Sequence, residues 1–126
     1  MKLKFLSVPI GLVVLAGSAN AAIVDVVIQN MAFNSNHVVI NRGDTVRWTN
    51  HDFFTHTVTE NNGVFNSGNL NLNQQFSFTF NTAGTYDYHC NIHTTMRGQV
   101  EVVPEPASVL ALAAGAGLVL VRRRRR

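Results

Sequence analysis

Three residues with metal-binding side chains follow one another at equal spacing near the end of the chain. Cys90, His93 and Met96 are separated by two residues each, and Cys90 is the only cysteine in the sequence. Thiolate and thioether are soft ligands that favour Cu(I), while imidazole binds both Cu(I) and Cu(II). The trio therefore predicts a short loop carrying three ligands of a redox-active copper ion, with Cys and two His in a plane and Met as a long axial ligand.

The second histidine of such a site must come from another part of the chain. His56 is the preferred candidate because it opens a predicted strand directly after a loop, 34 residues before Cys90. His51 lies in the same loop and is the alternative ligand. His37 stands at the start of another predicted strand, where a surface position is expected.

Two alternatives to a single copper ion are zinc at the same residues and a second copper at His89. Cys with two His could hold Zn²⁺, but the thioether of Met96 is a poor fourth ligand for zinc. His89 precedes the cysteine directly, as in copper nitrite reductases and multicopper oxidases, where such a histidine binds a second copper. That site needs several further histidines, and strand alternation turns His89 away from Cys90. We expect one copper and no enzyme activity.

The N-terminal segment predicts export. Lys2 and Lys4 precede the apolar residues 5–15, and Ala19-Asn20-Ala21 offers a small-x-small cleavage site. Residues 1–21 are therefore interpreted as a secretory signal peptide, and residues 22–103 as the mature domain. A lone cysteine in an exported protein cannot form an internal disulfide, which leaves metal ligation or intermolecular pairing for its thiol.

The C-terminal segment, residues 104–126, predicts sorting or anchoring. Pro104-Glu105-Pro106 is followed by small and apolar residues 107–121 and by five arginines. As a helix, this apolar stretch would reach about 22 Å, short of the ~30 Å hydrocarbon core, with the arginines on the cytoplasmic side. The segment resembles the PEP-CTERM sorting signal, which implies transient membrane anchoring, processing by an exosortase and a final place in the periplasm or outer envelope. A permanent C-terminal anchor is the alternative.

The charge of the domain differs from that of the whole chain. The full sequence has a formal net charge of +3. Between residues 22 and 103, three basic residues stand against six acidic ones, a balance of −3. The basic character belongs to the two ends, so a basic nucleic-acid-binding surface is excluded.

Residues 22–103 predict strands and no helix. β-branched or alternating segments, separated by turn residues, occur at residues 23–28, 37–40, 45–49, 56–59, 76–80, 85–90 and 97–103. About seven short strands predict an all-β sandwich. Within residues 85–90 the alternation places Tyr86, Tyr88 and Cys90 on one face, so that Cys90 points inward at the strand end. The residues expected in the core include Trp48, Phe76, Phe78, Phe80, Tyr86 and Tyr88.

Taken together, the motifs resemble those of a small cupredoxin of the plastocyanin-like and amicyanin-like type. They are Val46-x-Trp48-x-Asn50, Asp52 with His56-Thr57-Val58, and Gly84-Thr85-Tyr86-x-Tyr88-x-Cys90-x-x-His93-x-x-Met96-x-Gly98. The resemblance spans about residues 23–103 and implies a Greek-key β-sandwich and a one-electron carrier in the cell envelope.

The resemblance also implies roles for individual residues. His56, Cys90 and His93 would be the equatorial copper ligands, and Met96 the axial one. The edge of His93 would pass electrons to transient redox partners at a surface framed by Phe53, Phe54, Ile92, Thr94 and Thr95.

Two residues depart from the family pattern. Thr57 stands where relatives often have Asn, and Ile92 where many have Pro. Because Ile92 keeps its N–H, we expect an additional donor near the thiolate, which would stabilise Cu(I) and raise the potential. The alternative function is copper buffering without a redox partner, although Met31 and Met96 are the only methionines after the signal peptide.

Overall fold

The computed structural model describes residues 20–104 of the chain. The predicted signal peptide, apart from its last two residues, and the predicted C-terminal segment beyond Pro104 lie outside the described residues. Ala21–Pro104 forms one compact unit. Its strands are β1 Ile23–Gln29, β2 Ala32–Phe33, β3 His37–Asn41, β4 Thr45–Asn50, β5 Thr59–Glu60, β6 Gln75–Thr79, β7 Gly84–His89 and β8 Arg97–Val103. No helix in residues 20–104 is long and apolar enough to cross a membrane.

The eight strands form two four-stranded sheets. The strand orders are β2-β1-β4-β6 and β3-β8-β7-β5. Each sheet contains one parallel pair, β1 with β4 and β3 with β8, and its other pairs are antiparallel. The prediction of an all-β sandwich is confirmed, with eight short strands instead of about seven.

The core follows from the period-two alternation of the strands. In β4, Val46 and Trp48 are fully buried, while Arg47 lies on the other face and forms two hydrogen bonds with Asp25 of β1. The predicted aromatic core is confirmed: three of its members are buried and three are half-buried against them. The sequence prediction did not include three further buried residues from loops and the short β2, namely Phe33, Phe65 and Leu70.

Two predicted strand boundaries are corrected. The segment predicted as a strand at residues 56–59 forms only an isolated bridge between His56 and Leu70 before β5 begins at Thr59. The reason is that the N–H of Val58 donates to the side-chain oxygen of Ser67 and so cannot extend a ladder. The strand predicted at residues 85–90 ends at His89, because the N–H of Cys90 donates to the carbonyl of Met96 in the following loop.

The pairing of β7 with β8 defines two ends of the sandwich. His89 pairs with Arg97 at one end, which we call the loop end because the loop of residues 90–96 connects the strands there. At the other end, the terminal end, the N–H of Arg42 donates to the carbonyl of Val103, where β8 finishes. The carbonyl of Ala22, directly before β1, accepts from Thr45 at this same end.

The ring of Tyr88 packs across Gly98 on the neighbouring strand β8. A Cβ atom at position 98 would overlap the Cζ and hydroxyl atoms of Tyr88, whose ring is almost fully buried. Glycine is therefore required at this position for lack of space.

Gly98→Ala is expected to lower the free energy of unfolding of residues 22–104 by roughly 3 kcal/mol, because a buried ring must move to accommodate one methyl group. Gly63→Ala is the matched control, since Gly63 has open space around it and a φ of +86°. It is expected to cost about 1–2 kcal/mol from backbone conformation alone. Urea unfolding of the metal-free proteins measures both, and equal losses would contradict the packing explanation.

Tyr88 and Trp48 bury polar atoms among aromatic rings. Their rings meet edge to face, with centroids 5.4 Å apart. The hydroxyl of Tyr88 and the indole N–H of Trp48 find no hydrogen-bond partner within residues 20–104. Burial raises the pKa of Tyr88 to about 12, and the neighbouring indole of Trp48 offsets this only in part.

The raised pKa predicts a loss of stability in alkaline solution. An unfolded tyrosine has a pKa of about 10, so between pH 10 and about 12 the folded protein holds a proton that the unfolded chain has lost. The free energy of unfolding should fall as pH rises through this interval, by up to roughly 1.4 kcal/mol per pH unit. Tyr88→Phe should remove this component of the slope, while Tyr86→Phe should retain it, as measured by urea unfolding at each pH.

Candidate metal centre

The loop of residues 90–96 is closed by its own backbone. The N–H of Cys90 donates to the carbonyl of Met96 over 3.1 Å, and the N–H of Met96 donates to the carbonyl of His93 over 2.9 Å. These two hydrogen bonds turn the chain from β7 into β8 with two residues between successive metal-binding side chains. The equal spacing in the sequence therefore becomes a tight loop at one end of the sandwich.

His56 reaches the same end of the sandwich from a different segment. Its backbone exchanges two hydrogen bonds with Leu70, of 3.0 and 2.7 Å, and its side chain is fully buried. The ring Nε2 lies 2.9 Å from Oδ2 of Asp52. Since an ionised carboxylate only accepts hydrogen bonds, Nε2 carries the proton in the neutral ring, and Nδ1 presents its lone pair to the interior.

Nδ1 of His56, Nδ1 of His93 and Sγ of Cys90 form a small triangle. The two nitrogens are 3.1 Å apart. The sulfur lies 3.8 Å from Nδ1 of His56 and 3.7 Å from Nδ1 of His93. These three residues are the one group of three or more His, Cys, Asp or Glu side chains in residues 20–104 with ligand atoms close enough to hold a metal ion.

The dimensions and chemistry of the triangle fit a transition-metal ion. A point equidistant from the three atoms lies about 2.1 Å from each, within the roughly 2.0–2.3 Å range of bonds from imidazole and thiolate to a divalent ion such as Zn²⁺. The two ring nitrogens lie 3.1 Å apart, and Asp52 leaves Nδ1 of His56 with a lone pair that points at the other ring. A proton or a cation between the two nitrogens is therefore required. Two imidazoles with a thiolate match the planar donors of a type 1 copper site.

Met96 stands at the end of the same loop. It is 4% exposed and belongs to the hydrophobic core. Its thioether is a weak ligand that suits copper better than zinc. The structure thus brings all four residues singled out in the sequence, His56, Cys90, His93 and Met96, to one end of the sandwich.

The sulfur of Cys90 accepts two backbone hydrogen bonds. The N–H of Thr57 donates over 3.3 Å and the N–H of His93 over 3.4 Å. These donors stabilise negative charge on a sulfur that is otherwise buried. The expectation that Ile92 supplies the additional donor is corrected, since the loop turns so that the N–H of His93, one residue later, points at the sulfur.

Thr57 joins the two segments that carry the donor atoms. Besides the hydrogen bond from its N–H to Sγ of Cys90, its side-chain Oγ1 accepts the N–H of Asn91 over 2.8 Å. The same Oγ1 lies 2.9 Å from Oγ1 of Thr59. Thr57 is 3% exposed, so these hydrogen bonds are shielded from water. The sequence marked Thr57 only as a departure from the family pattern and did not predict this role.

Asp52 is an anchor that the sequence analysis did not identify. Its partial burial alone would raise its pKa, but hydrogen bonds from the N–H groups of Met31 and Asn30 and from His56 outweigh burial, so its pKa lies below the usual value. Asp52 is therefore ionised at neutral pH and holds the ring of His56. Its own N–H donates to Oδ1 of the fully buried Asn50.

The remaining histidines lie away from the triangle. His51, the alternative ligand, is exposed and takes no part in the cluster. His37 lies 3.4 Å from Glu101 at the surface, as its predicted position at a strand start implied. The ring nitrogens of His89 lie 2.6 Å from Oδ1 of Asn61 and 2.9 Å from Oδ1 of Asn91. Within residues 20–104, no second metal-binding cluster includes His89.

Exposed side chains, three of them apolar, adjoin His93 in space or in sequence. Phe53 is 90% exposed, Phe54 is 61% exposed, and the ring of Phe54 meets that of His93 edge to face with centroids 6.4 Å apart. Ile92, Thr94 and Thr95 are also exposed. His93 itself is half-buried, so its ring connects the buried triangle with this surface.

Comparisons with known proteins agree on one family. The model of the copper binding proteins of the plastocyanin/azurin family matches residues 20–103. Amicyanin from Paracoccus denitrificans is 40% identical over 89 residues, which is 67% of this chain and 67% of that protein. Amicyanin from Paracoccus versutus is 36% identical over 94 residues, 71% of each chain.

Solved amicyanin structures share the fold. The Cu(I) form of a methionine-to-alanine variant superposes with a TM-score of 0.62 at 36% identity, covering 70% of this chain and 88% of that one. A second such variant, also in the Cu(I) form, gives 0.61 at 35% identity and covers 64% and 81%.

Thr57→Val tests the contact between the two ligand-bearing segments. The variant keeps the shape and the backbone N–H but leaves the N–H of Asn91 without its acceptor, so the free energy of unfolding of the metal-free protein should fall by roughly 1–2 kcal/mol. Thr57→Ser retains the hydroxyl and should lose less than about 1 kcal/mol. Amide exchange at Asn91 should accelerate in the valine variant alone, and unchanged exchange there would refute the contact.

Proposed function

The chain belongs to the plastocyanin/azurin family of copper-binding proteins, and from that premise we infer that it is a type 1 copper protein that carries single electrons in the cell envelope. The observation that carries this inference is the triangle of two imidazole nitrogens and one cysteine sulfur at separations of 3.1–3.8 Å. One copper ion is its cofactor.

We assign the copper to four residues. Nδ1 of His56, Nδ1 of His93 and Sγ of Cys90 would hold it, together with the thioether of Met96. The donor set supports this assignment, because soft sulfur ligands favour Cu(I) and imidazole serves both oxidation states. Copper bound there supplies one-electron chemistry by alternating between Cu(I) and Cu(II).

The protein's own residues keep the donor atoms in place throughout this cycle. Asp52 fixes the ring of His56 through Nε2, and Thr57 fixes the sulfur of Cys90 and the start of its loop. His56 and Cys90 have no exposed surface, which keeps water from the donor atoms. A site held from several directions changes little on gaining or losing an electron, and little rearrangement means fast transfer.

The electron would enter and leave through the ring of His93. This ring is half-buried, and it meets both the buried ring of His56 and the exposed ring of Phe54. The mature domain carries few charges, so strong electrostatic steering is not expected. We propose brief apolar contacts with redox proteins as donor and acceptor. No bond is made or broken in this role, and we propose that the protein is not an enzyme.

We further propose export through the segment of residues 1–21, with a final location in the periplasm or the outer envelope. The apolar residues 107–121 and the terminal arginines support a membrane-bound stage before cleavage by an exosortase-type enzyme. The geometry of the domain suits such a stage. Val103 lies at the terminal end, opposite the loop of residues 90–96, so the point at which a tether would join the domain is remote from this loop.

The electronic spectrum of the Cu(II) protein tests the assignment of function. An intense visible band from thiolate-to-copper charge transfer is expected, with a type 1 EPR signal, because Sγ of Cys90 would be a copper ligand. Cys90→Ser should abolish the band. The matched control His51→Ala should leave it unchanged, since His51 lies outside the cluster. A pale, tetragonal copper signal that survives in Cys90→Ser would reject electron transfer and favour copper buffering.

A further inference from the structure

Asp44 is a buried carboxylate whose counter-charge is missing from the side chains around it. It is 7% exposed and lies in the turn between β3 and β4 at the terminal end. Its Oδ1 accepts the backbone N–H of Ala22 over 2.9 Å, and its Oδ2 accepts the backbone N–H of Asn41 over 3.0 Å. Within residues 20–104, no cationic side chain forms a salt bridge or hydrogen bond with it.

Burial without a counter-charge distinguishes Asp44 from Asp25, Asp52 and Glu101, while Glu60 is also buried and accepts only backbone N–H groups. Asp25 pairs with Arg47, Glu101 approaches His37, and Asp52 approaches His56. An ionised carboxylate removed from water is costly unless a positive charge or several donors compensate it. Two neutral backbone donors compensate Asp44 only in part.

The nitrogen of Ala22 can supply the missing charge. This step rests on the export proposed above, namely cleavage after Ala21. A signal peptidase would hydrolyse the bond between the carbonyl carbon of Ala21 and the nitrogen of Ala22, with water giving its hydroxyl to Ala21 and a proton to the nitrogen. The product is an α-amino group, which has a pKa of about 7.7–8.0 and is mostly protonated at neutral pH. The nitrogen already lies 2.9 Å from Oδ1 of Asp44.

We propose that Asp44 is the binding site for the protein's own mature N-terminus, so that removal of the signal peptide creates a partly buried ion pair between the α-ammonium group of Ala22 and Asp44. The hydrogen bond of the precursor is then replaced by a charge-assisted one at the same atoms. The fold supports this assignment, because Ala22 directly precedes the first strand, which begins at Ile23.

The ion pair would fasten both ends of the domain. The carbonyl of Ala22 accepts the N–H of Thr45 over 2.9 Å, which extends the pairing of β1 with β4. Asn41, the other donor to Asp44, pairs with Val103 at the end of β8. Asp44 therefore links the start of the first strand to the end of the last. The precursor lacks the ion pair, so we expect it to be less stable than the mature domain.

The sequence allows a selective chemical test. No lysine occurs between residues 22 and 104, so the α-amino group of Ala22 is the only primary amine of the mature domain. Residues 22–104, released from a fusion protein with Ala22 as the first residue, can be acetylated with an amine-selective reagent. Hydroxylamine then removes acetyl groups from thiol, imidazole and hydroxyl groups. Acetylation keeps one N–H donor at the nitrogen of Ala22 and removes its charge.

Acetylation is expected to lower the thermal unfolding midpoint by roughly 4–8 °C. It removes one partly buried ion pair, and in a domain this small a modest loss of unfolding free energy shifts the midpoint by several degrees. The same treatment of Asp44→Asn should shift its midpoint by less than about 2 °C. Asp25→Asn is the matched control on β1, and it should show the full shift. A chain that begins at Asn20 tests the proposal without altering Asp44: it should unfold near the midpoint of the acetylated protein and respond little to acetylation.

Equal shifts in the wild type and in Asp44→Asn, or no shift in the wild type, would overturn the proposal and leave the export proposal intact. N-terminal sequencing of the protein isolated from its own cells tests export separately. A first residue of Ala22 agrees with both proposals. Any other first residue refutes the cleavage site, and with it the role of Ala22, whatever the midpoints show.

Discussion

The contact of Thr57 with Cys90 and Asn91 is the interaction on which the ligand cluster depends. Thr57 precedes Cys90 by 33 residues and Asn91 by 34. The contact therefore joins the segment that bears His56 to the segment that bears Cys90 and His93. The pairing of β7 with β8 fixes the loop of residues 90–96 only within its own sheet. The hydrogen bonds of Thr57, together with the pairing of β5 with β7, hold that loop against the segment that carries the remaining imidazole.

The fold thus assembles donor atoms that, in an unfolded chain, would repel one another or be hydrated by water. Two imidazole nitrogens lie 3.1 Å apart beside a fully buried sulfur. Such an arrangement opposes folding unless the rest of the domain compensates it, and the core around Trp48 and Tyr88 provides that stabilisation. The benefit is a site already shaped for the metal, in which the donor atoms would keep nearly the same positions in both oxidation states. This constancy is one requirement of electron transfer, and a route to the partner through the ring of His93 is another.

The sequence predicted the local features of the site and missed those set by tertiary contacts. Spacing alone placed Cys90, His93 and Met96 on one loop, because that loop is too short to separate them. The anchoring of His56 by Asp52 was missed, because a ring's partner depends on how the preceding loop folds. The donor to the sulfur was wrongly assigned to Ile92, since the direction of an N–H follows from the turn and not from residue type. Phe65 and Leu70 were missed because loop residues show no period.

Crystal structures of the metal-free, Cu(I) and Cu(II) forms would show whether the protein itself sets the positions of the donor atoms. Our expectation is that the distances among Nδ1 of His56, Nδ1 of His93 and Sγ of Cys90 differ by less than about 0.5 Å among the three forms, with the hydrogen bond from Asn91 to Thr57 present in each. A metal-free structure in which the loop of residues 90–96 moves away from Thr57 and the donor atoms separate beyond reach of one ion would contradict it.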